Sequence, residues 1–146
     1  MAINLSVTQK VISAEAAAQA VSASVAEARR LGVAINVAVV DSGGNLAAFL
    51  RMPGAFLHSI SIAQDKALTA AGFGMPTSTV YEIIQTDRAL HEGVTVRPNL
   101  VVFGGGLPIR EGGDLLGGIG VSGASVEQDV LCAQAGLATI GLGGAK

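Results

Sequence analysis

Apolar residues recur at helical spacing in the first third of the chain. After Ser13, the run AEAAAQAVSASVAEARRLG places Ala17, Val21, Val25, Ala28 and Leu31 at helical spacing on one stripe. Ser13 is a typical N-cap and Gly32 a typical stop residue. The pattern predicts an amphipathic helix between them.

The next segment changes to the alternating pattern of a β-hairpin. VAINVAVVD alternates and is rich in β-branched residues, Gly43 and Gly44 supply a two-residue turn, and NLAAFLRM is predicted as the second strand. With that turn, Asn36 faces Arg51 across the hairpin and Asp41 points to the opposite face. Asp41 and Arg51 are therefore not expected to form an ion pair.

A second helix is predicted from about Phe56 to Phe73. On a helical wheel one side is small and apolar, with Ile60, Ala63, Ala67, Ala70 and Ala71, and the other side carries His58, Asp65 and Thr69. The small residues would let the helix lie close to a sheet. Lys66 falls on the flank between the two sides, where its ammonium is expected at an edge.

The rest of the chain predicts two further helices and three strands. Thr77 or Thr79 is expected to cap a short third helix, and TDRALHEGVTVRPN is predicted as a polar connection. LVVF and LLGGIGVS are predicted as strands, and GGGLPIRE as a turn followed by a further strand. Ser125 with Gln128 forms the capping box of a final helix. GLGGAK is expected to fray. The order α-β-β-α-α-β-β-β-α groups the strands in hairpins, which predicts an α+β fold with an antiparallel sheet covered by segregated helices.

Composition narrows the class of protein. A chain of 146 residues accommodates one domain, spanning residues 1–146. Charged residues make up 14% of it, against a usual value of about 25%, which predicts a homo-oligomer that buries apolar surface. The small net charge without a basic run argues against nucleic-acid binding. The N-terminus lacks a signal-peptide pattern, no segment is apolar enough for a membrane span, and Cys132 is the single cysteine, so a cytoplasmic protein is expected.

The segment GIGVSG, residues 118–123, matches the dinucleotide fingerprint G-x-G-x-x-G. A dinucleotide site also needs a further parallel strand and an acidic residue about 20 positions later, and the sequence supplies neither. NAD is therefore not expected as a cofactor. In a strand, Gly118 and Gly120 instead leave one face almost without side chains, which suits the close approach of a helix, a neighbouring subunit or a flat ligand.

Candidate chemistry rests on a few scattered polar residues. The chain has no metal-binding motif, and its two histidines, His58 and His91, are far apart in sequence, so no metal ion is predicted. Asp41 is a candidate proton-transfer group or a turn cap, and Arg51 is a candidate carboxylate ligand or an exposed strand-end residue. Lys66 is either a pocket cation or the partner of a nearby acid, and His58 is either an acid–base group or a solvated residue.

Four blocks of the sequence resemble a known family. VAVVDSGGNLAAFLRMPGA, SISIAQDKALTAAGFGMPTS, FGGGLPI and GGIGVSGASVEQD, between about Ser13 and Ile140, are similar to the GlcG/HbpS-like proteins, which include the C-terminal domain of PduO-type adenosyltransferases. The resemblance implies a profilin-like fold, with helices around a five-stranded antiparallel sheet, assembled into dimers and often octamers. The positions that carry over with these blocks are Asp41, Gly43, Gly44, Arg51, Lys66, Thr69, Gly105, Pro108, Gly120, Gly123 and Asp129.

Three functions remain open from the sequence. The first is an oligomeric small-molecule-binding protein, for haem or a related tetrapyrrole, as the resemblance implies, with His58 and His91 as candidate axial ligands. Its ligand would lie between the helix of Lys66 and the glycine strands at a subunit boundary. The expected ligand-binding residues are Arg51, Thr69, Gly105, Pro108, Gly118 and Gly120.

The second function is a metal-independent lyase or isomerase that acts on a small aromatic carboxylate, since the resemblance also extends to the hydroxylaminobenzoate lyases of aromatic catabolism. Arg51 or Lys66 would bind the carboxylate in such an enzyme. The expected catalytic residues are Lys66, His58, Tyr81, Glu82 and Asp41. The third function is an accessory structural protein without a ligand.

Overall fold

Four antiparallel strands lie between two layers of helices in the computed structural model, which describes residues 2–142. The elements in chain order are α1 (Ala14–Leu31), β1 (Asn36–Asp41), β2 (Leu46–Arg51), α2 (His58–Phe73), α3 (Thr77–Ile84), α4 (Arg88–Thr95), β3 (Gly106–Glu111), β4 (Asp114–Ser122) and α5 (Val126–Thr139). The strands are ordered β2-β1-β4-β3 across the sheet. The α+β class and the antiparallel sheet are thus confirmed. Most of the segment predicted to fray, residues 143–146, lies outside the described residues.

The described sheet has four strands, so the expected fifth strand is wrong. LVVF, predicted as a strand, adopts neither helix nor strand at residues 100–103. The N–H of Val101 donates to Thr69 Oγ1 at 3.0 Å, and the Thr69 hydroxyl donates to Asn99 O at 3.4 Å. A side chain of α2 therefore satisfies backbone groups of this segment that a neighbouring strand would otherwise satisfy.

The middle of the chain differs from the prediction at two helix starts. The predicted polar connection contains α4, whose N-cap Asp87 accepts a hydrogen bond from Leu90 N at 3.0 Å. The expected side-chain cap of α3 is wrong, because the Thr77 hydroxyl donates to Phe103 O at 2.7 Å and accepts from Gly106 N at 3.1 Å. Thr77 thus ties α3 to the segment that leads into β3.

The two long terminal helices begin as predicted. Ser13 Oγ accepts a hydrogen bond from Ala16 N at 3.1 Å at the start of α1. At the start of α5, Ser125 Oγ accepts from Gln128 N and Gln128 Oε1 accepts from Ser125 N, each at 3.2 Å. The N-cap of α1 and the capping box of α5 are confirmed.

Replacing Ser125 by alanine is expected to lower the free energy of unfolding by about 1 kcal/mol, because it removes the acceptor for Gln128 N. Urea denaturation followed by circular dichroism measures this loss. Ser22, an exposed residue within α1, provides the matched control, since alanine is the better helix former there. Equal denaturation midpoints for Ser125→Ala and Ser22→Ala would contradict the capping role.

The hairpin of β1 and β2 keeps its predicted register through a different turn. Asn36 lies opposite Arg51, as predicted. Asp41 N donates to Asn45 O at 2.8 Å and Gly44 N donates to Asp41 O at 3.0 Å, which closes a three-residue loop with Gly44 at a φ of 86°. One register irregularity within the hairpin compensates for the additional loop residue. The two-residue turn is therefore wrong, although the pairing that it predicted is right.

The two faces of the sheet pack on different helices. The larger core joins α1 and α5 to one face and includes Val37, Val39, Ile119, Val121, Cys132 and Leu137. The smaller core joins α2 to the other face through Ala38, Val40, Ala63, Ala67 and Ala71. Small side chains on both sides of this second interface bring the helix close to the sheet, as predicted.

Gly118 and Gly120 lie directly beneath α2. A Cβ atom added to Gly118 would be 2.3 Å from Ala67 O, and one added to Gly120 would be 2.1 Å from Ala63 O. Of the three occupants that the glycine face suits, the helix is thus confirmed. Its backbone fills the space that a flat ligand would need.

Candidate functional site

Lys66 is fully buried in the middle of α2, although the helical wheel predicts its ammonium at an edge. Lys66 Nζ donates to Val121 O at 2.8 Å and to Asp129 Oδ2 at 3.2 Å. Two glycines make room for the side chain: a Cβ on Gly105 would be 2.6 Å from Lys66 Nζ, and one on Gly120 would be 2.9 Å from Lys66 Cβ. Of the two sequence hypotheses for Lys66, the partner of an acid fits this geometry.

Burial and mutual attraction act in opposite directions on the Lys66–Asp129 pair. Burial lowers the pKa of Lys66, and the carboxylate of Asp129 counteracts part of that effect. Burial likewise raises the pKa of Asp129, which the Lys66 charge and the backbone N–H of Ala124 oppose. The Ala124 N–H donates to Asp129 Oδ1 at 3.0 Å. Both oxygens of the buried carboxylate therefore have a donor, as a buried charge requires.

The ring of Phe103 covers the buried ammonium on its outer side. Lys66 Nζ lies 4.8 Å from the ring centroid, which is within the range of a cation–π contact. Phe103 itself is 48% exposed. One face of the site is therefore an aromatic ring in contact with a charge, and the ring is accessible from solvent.

Phe103 also lines an open pocket of about 420 Å³ beside α3, which we call the Tyr81 pocket. Its other lining residues are Ser78, Tyr81, Glu82 and Val102. Tyr81 is in edge-on contact with His91 of α4, with the ring centroids 5.9 Å apart. Two aromatic walls and an aliphatic side chain thus meet at this pocket, and an imidazole is in contact with one of the two rings.

The structure does not bring the five candidate catalytic residues together. Tyr81 and Glu82 line the Tyr81 pocket, whereas Lys66 lies behind the Phe103 ring. Asp41 is at the hairpin turn, where Asp41 Oδ1 accepts from Gly43 N and Asn45 N, each at 2.9 Å. The Asn45 N–H is the main cause of the lowered pKa of Asp41, so its carboxylate caps a turn.

His58 is the exposed first residue of α2 and, like Asp41, lies outside the lining of the Tyr81 pocket. Arg51 lies near this start of α2. Its guanidinium donates a 2.8 Å hydrogen bond to Ala55 O, in the loop that precedes the helix. Arg51 therefore has an intramolecular partner in the place where a ligand carboxylate was expected.

The remaining expected ligand-binding residues serve packing. Thr69 was predicted on the polar side of its helix, but it is buried and holds the segment before β3. Gly105 adjoins Lys66 with a φ of 125°, and Pro108 is buried within β3. Gly118 and Gly120 are covered by α2, as described above. These positions therefore shape the interior, and the Tyr81 pocket is on the other side of Phe103.

Sequence reasoning missed Phe103 and Asp129 as parts of the site. The sequence predicts Phe103 only as the end of a strand. The glycine run from Gly104 to Gly106 next to it is the one local sign of close packing, since it lets the chain pass close to α2 and α5. Asp129 lies one turn into α5, and only its place in the family blocks singles it out.

Asn36 Oδ1 is buried and has no hydrogen-bond partner among the described residues.

Residues 2–142 lack two further features. No three His, Cys, Asp or Glu side chains are grouped so that they could hold a metal ion. None of the helices has both the length and the apolar character that a membrane crossing requires.

The fold and the pocket define an antiparallel α+β protein with an aromatic-walled cavity of a size typical of small-molecule sites. The family model described as haem degrading protein HbpS-like matches residues 12–138, and the chain belongs to this HbpS-like family. The resemblance to the GlcG/HbpS-like proteins is thereby confirmed.

Three comparisons illustrate the relationship. An uncharacterized 15.0 kDa protein from the dhaT-dhaS intergenic region of Citrobacter freundii is 39% identical over 121 residues, covering 82% of this chain and 83% of that protein. Corrinoid adenosyltransferase PduO of Salmonella typhimurium is 37% identical over 126 residues, covering 86% of this chain and 38% of the relative. The crystal structure of a PduOC–heme complex matches with a TM-score of 0.84 and 35% identity, over 93% of this chain and 99% of that chain.

Proposed function

We propose that this protein binds haem or a related tetrapyrrole in the Tyr81 pocket. The observation that carries the proposal is the combination of an accessible aromatic wall, Phe103, with Tyr81 in the same pocket and His91 in contact with the Tyr81 ring. Membership of the HbpS-like family and the match to a heme complex of PduOC support the choice of ligand.

The residues at the pocket fit such a ligand. A flat macrocycle needs apolar and aromatic walls, which Phe103, Tyr81 and Val102 supply. Tyrosine oxygen and histidine nitrogen are both axial ligands of haem iron in proteins, so Tyr81 and His91 are the side chains that would hold the iron. The bound group would supply a redox-active iron centre, and the protein would supply its binding and partial exclusion of water.

The pocket differs from the site expected from the sequence. That expectation placed the ligand against Gly118 and Gly120, where α2 now leaves no space. The enzymatic alternative relied on Lys66 or Arg51 to bind a carboxylate, and each has an intramolecular partner. Haem binding at the Tyr81 pocket requires neither residue to change partner.

Self-association is part of the proposal. Only 14% of residues are charged, and large apolar side chains such as Phe56, Leu57 and Leu46 are 68%, 71% and 52% exposed. A monomer with these surfaces would leave apolar area in water that a second copy could cover. We therefore propose a dimer-based homo-oligomer, with an octamer as the largest form, and light scattering measures its mass.

Titration with hemin tests the binding proposal. We expect a saturable shift of the Soret band with one hemin per protomer. The Tyr81→Phe/His91→Ala double variant should bind at least about tenfold more weakly, which corresponds to about 1.4 kcal/mol of binding free energy. His58→Ala is the matched control, because it removes the other histidine, which does not line the pocket and does not share the contact of His91 with Tyr81, and it should bind like the unaltered protein.

The titration has two outcomes that would overturn the proposal. A protein without a saturable Soret shift does not bind haem. A protein whose hemin affinity falls in His58→Ala and is unchanged in the double variant binds haem at the start of α2, away from the Tyr81 pocket.

A further inference from the structure

The described part of the chain begins with a segment that has the sequence pattern of a strand and side chains exposed to solvent. Residues 2–9, which we call the N-terminal arm, alternate Ile3, Leu5 and Val7 with polar residues, the pattern of a strand with one apolar face. These three residues are 80%, 94% and 89% exposed. Among residues 2–142, no hydrogen bond joins the arm to the rest of the chain. The arm therefore has the sequence of a strand and lacks a partner in its own subunit.

The arm is attached firmly at its base. Ile12 N donates to Leu116 O at 3.0 Å, and the Ser42 hydroxyl donates to Lys10 O at 2.9 Å. Lys10 Nζ also lies 3.2 Å from the Asp114 carboxylate. These contacts fix the base at the end of the sheet where both hairpins turn. From there toward the N-terminus, the arm is available to a neighbouring molecule.

The two edges of the sheet are unequally protected. β3 and β2 are its outer strands. β3 contains Pro108, which has no N–H to donate, and ends in the charged residues Arg110 and Glu111, and such residues discourage edge pairing. β2 has neither proline nor charge before its last residue, and its Leu46 and Leu50 are 52% and 39% exposed. β2 is thus the edge on which a further strand would fit.

We propose that the N-terminal arm of one copy adds as a strand to the outer edge of β2 in a second copy. Outward-facing N–H and C=O groups of β2 would pair with the arm backbone, which is the physical basis of strand addition. Ile3, Leu5 and Val7 would then lie beside Leu50 and cover its exposed side chain. The arm carries no charge, so its docking on this edge requires no charged side chain to lose water.

The inference rests on the proposed self-association and names the surfaces that produce it. Light scattering at one protein concentration compares the full chain with the arm variant Ile3→Asn/Leu5→Asn/Val7→Asn. The matched control, Asn4→Gln/Ser6→Asn/Thr8→Asn, changes the polar positions of the same segment. We expect the arm variant and Leu50→Lys to form a smaller assembly than the full chain, and the control to keep the full mass.

The outcomes separate this inference from the proposed self-association. A monomeric full chain would overturn both. If the full chain is an oligomer and the arm variant has the same mass, only the arm contact is overturned. If Leu50→Lys dissociates the oligomer and the arm variant does not, β2 pairs with another surface, such as β2 of a second copy.

Disulfide trapping gives a second readout that depends on the contact itself. Two differently tagged copies are mixed, one with Leu50→Cys and the other with a cysteine at one arm position. We expect Leu5→Cys or Val7→Cys to give more mixed dimer than Ser6→Cys, since side chains of a strand alternate between faces. Cys132 should not interfere, because it is buried and burial raises the pKa of its thiol to about 11. Equal trapping at all three arm positions, or none, would overturn the strand contact.

Discussion

Replacing Gly120 by alanine should lower the free energy of unfolding by about 3 kcal/mol, the upper end of the usual cost of overpacking a core. The new Cβ would be 2.1 Å from Ala63 O and 2.4 Å from Ala67 N. Both neighbours are backbone atoms of α2, which cannot rotate away as a flexible side chain can. The helix must therefore move off the sheet or the strand must bend, and either movement disturbs the smaller core.

Urea denaturation of Gly120→Ala measures this effect, and Gly72→Ala provides its control. Gly72 lies in α2, the helix that covers Gly120, but a Cβ added to Gly72 would meet no atom within 4 Å. Because alanine is the better helix former, Gly72→Ala should stabilise the protein by about 0.5–1 kcal/mol. If Gly120→Ala unfolded at the same urea concentration as the unaltered protein, α2 would not lie directly on the glycine strand as described.

Removing the carboxylate of Asp129 should have the second large effect. In Asp129→Ala, Lys66 keeps a buried ammonium whose remaining partners are Val121 O and the Phe103 ring. Breaking a buried ion pair by deleting one partner typically costs about 3–5 kcal/mol. We expect a loss of that size in urea denaturation at neutral pH.

The pH dependence of Asp129→Asn gives a more specific test of the same pair. Burial holds the pKa of Lys66 in the folded protein below its ordinary value of 10.5, and the charge of Asp129 opposes that lowering. Asp129→Asn removes this charge, so the pKa of Lys66 should fall further. The unfolded chain then binds more protons than the folded protein over a wider pH interval, so stability should rise with pH. We expect Asp129→Asn to gain stability as the pH rises toward about 10, more steeply than the unaltered protein.

The double variant Lys66→Met/Asp129→Leu is the control for this pair. It removes both charges and fills much of the same volume with apolar groups, which is often neutral or stabilising for buried pairs. It should therefore recover most of the stability that Asp129→Ala loses, and its stability should not follow the steep rise with pH. Asp129→Ala with unchanged stability would mean that Lys66 and Asp129 do not form a buried pair.

Features that depend on neighbouring residues could be predicted from the sequence. The cap of α1 at Ser13 and the capping box at Ser125 are local signals, and both helices begin there. The facing of Asn36 and Arg51 follows from alternation within one hairpin. LVVF failed for a nonlocal reason, because its backbone bonds to Thr69, a side chain about 30 positions earlier in the chain.

The candidate site could be predicted only in part for the same reason. The sequence predicts Tyr81 as a candidate, and Tyr81 does line the pocket beside α3. The helical wheel assigned Lys66 to a flank because a wheel does not represent the sheet glycines that accommodate its side chain. Phe103 acquires its role from two contacts that no local pattern encodes: the ammonium behind its ring and the pocket in front.

The most direct test of the haem proposal uses the fact that Tyr81 is the single tyrosine of the chain. Ring-¹³C-labelled tyrosine therefore gives one set of NMR signals, and zinc protoporphyrin IX, which is diamagnetic, shifts nuclei close to its macrocycle through its ring current. The account predicts that the Tyr81 ring signals shift as the tetrapyrrole is added and stop shifting at one equivalent per protomer. Zinc protoporphyrin IX that binds by absorbance while the Tyr81 signals stay in place, or that does not bind at all, would contradict it.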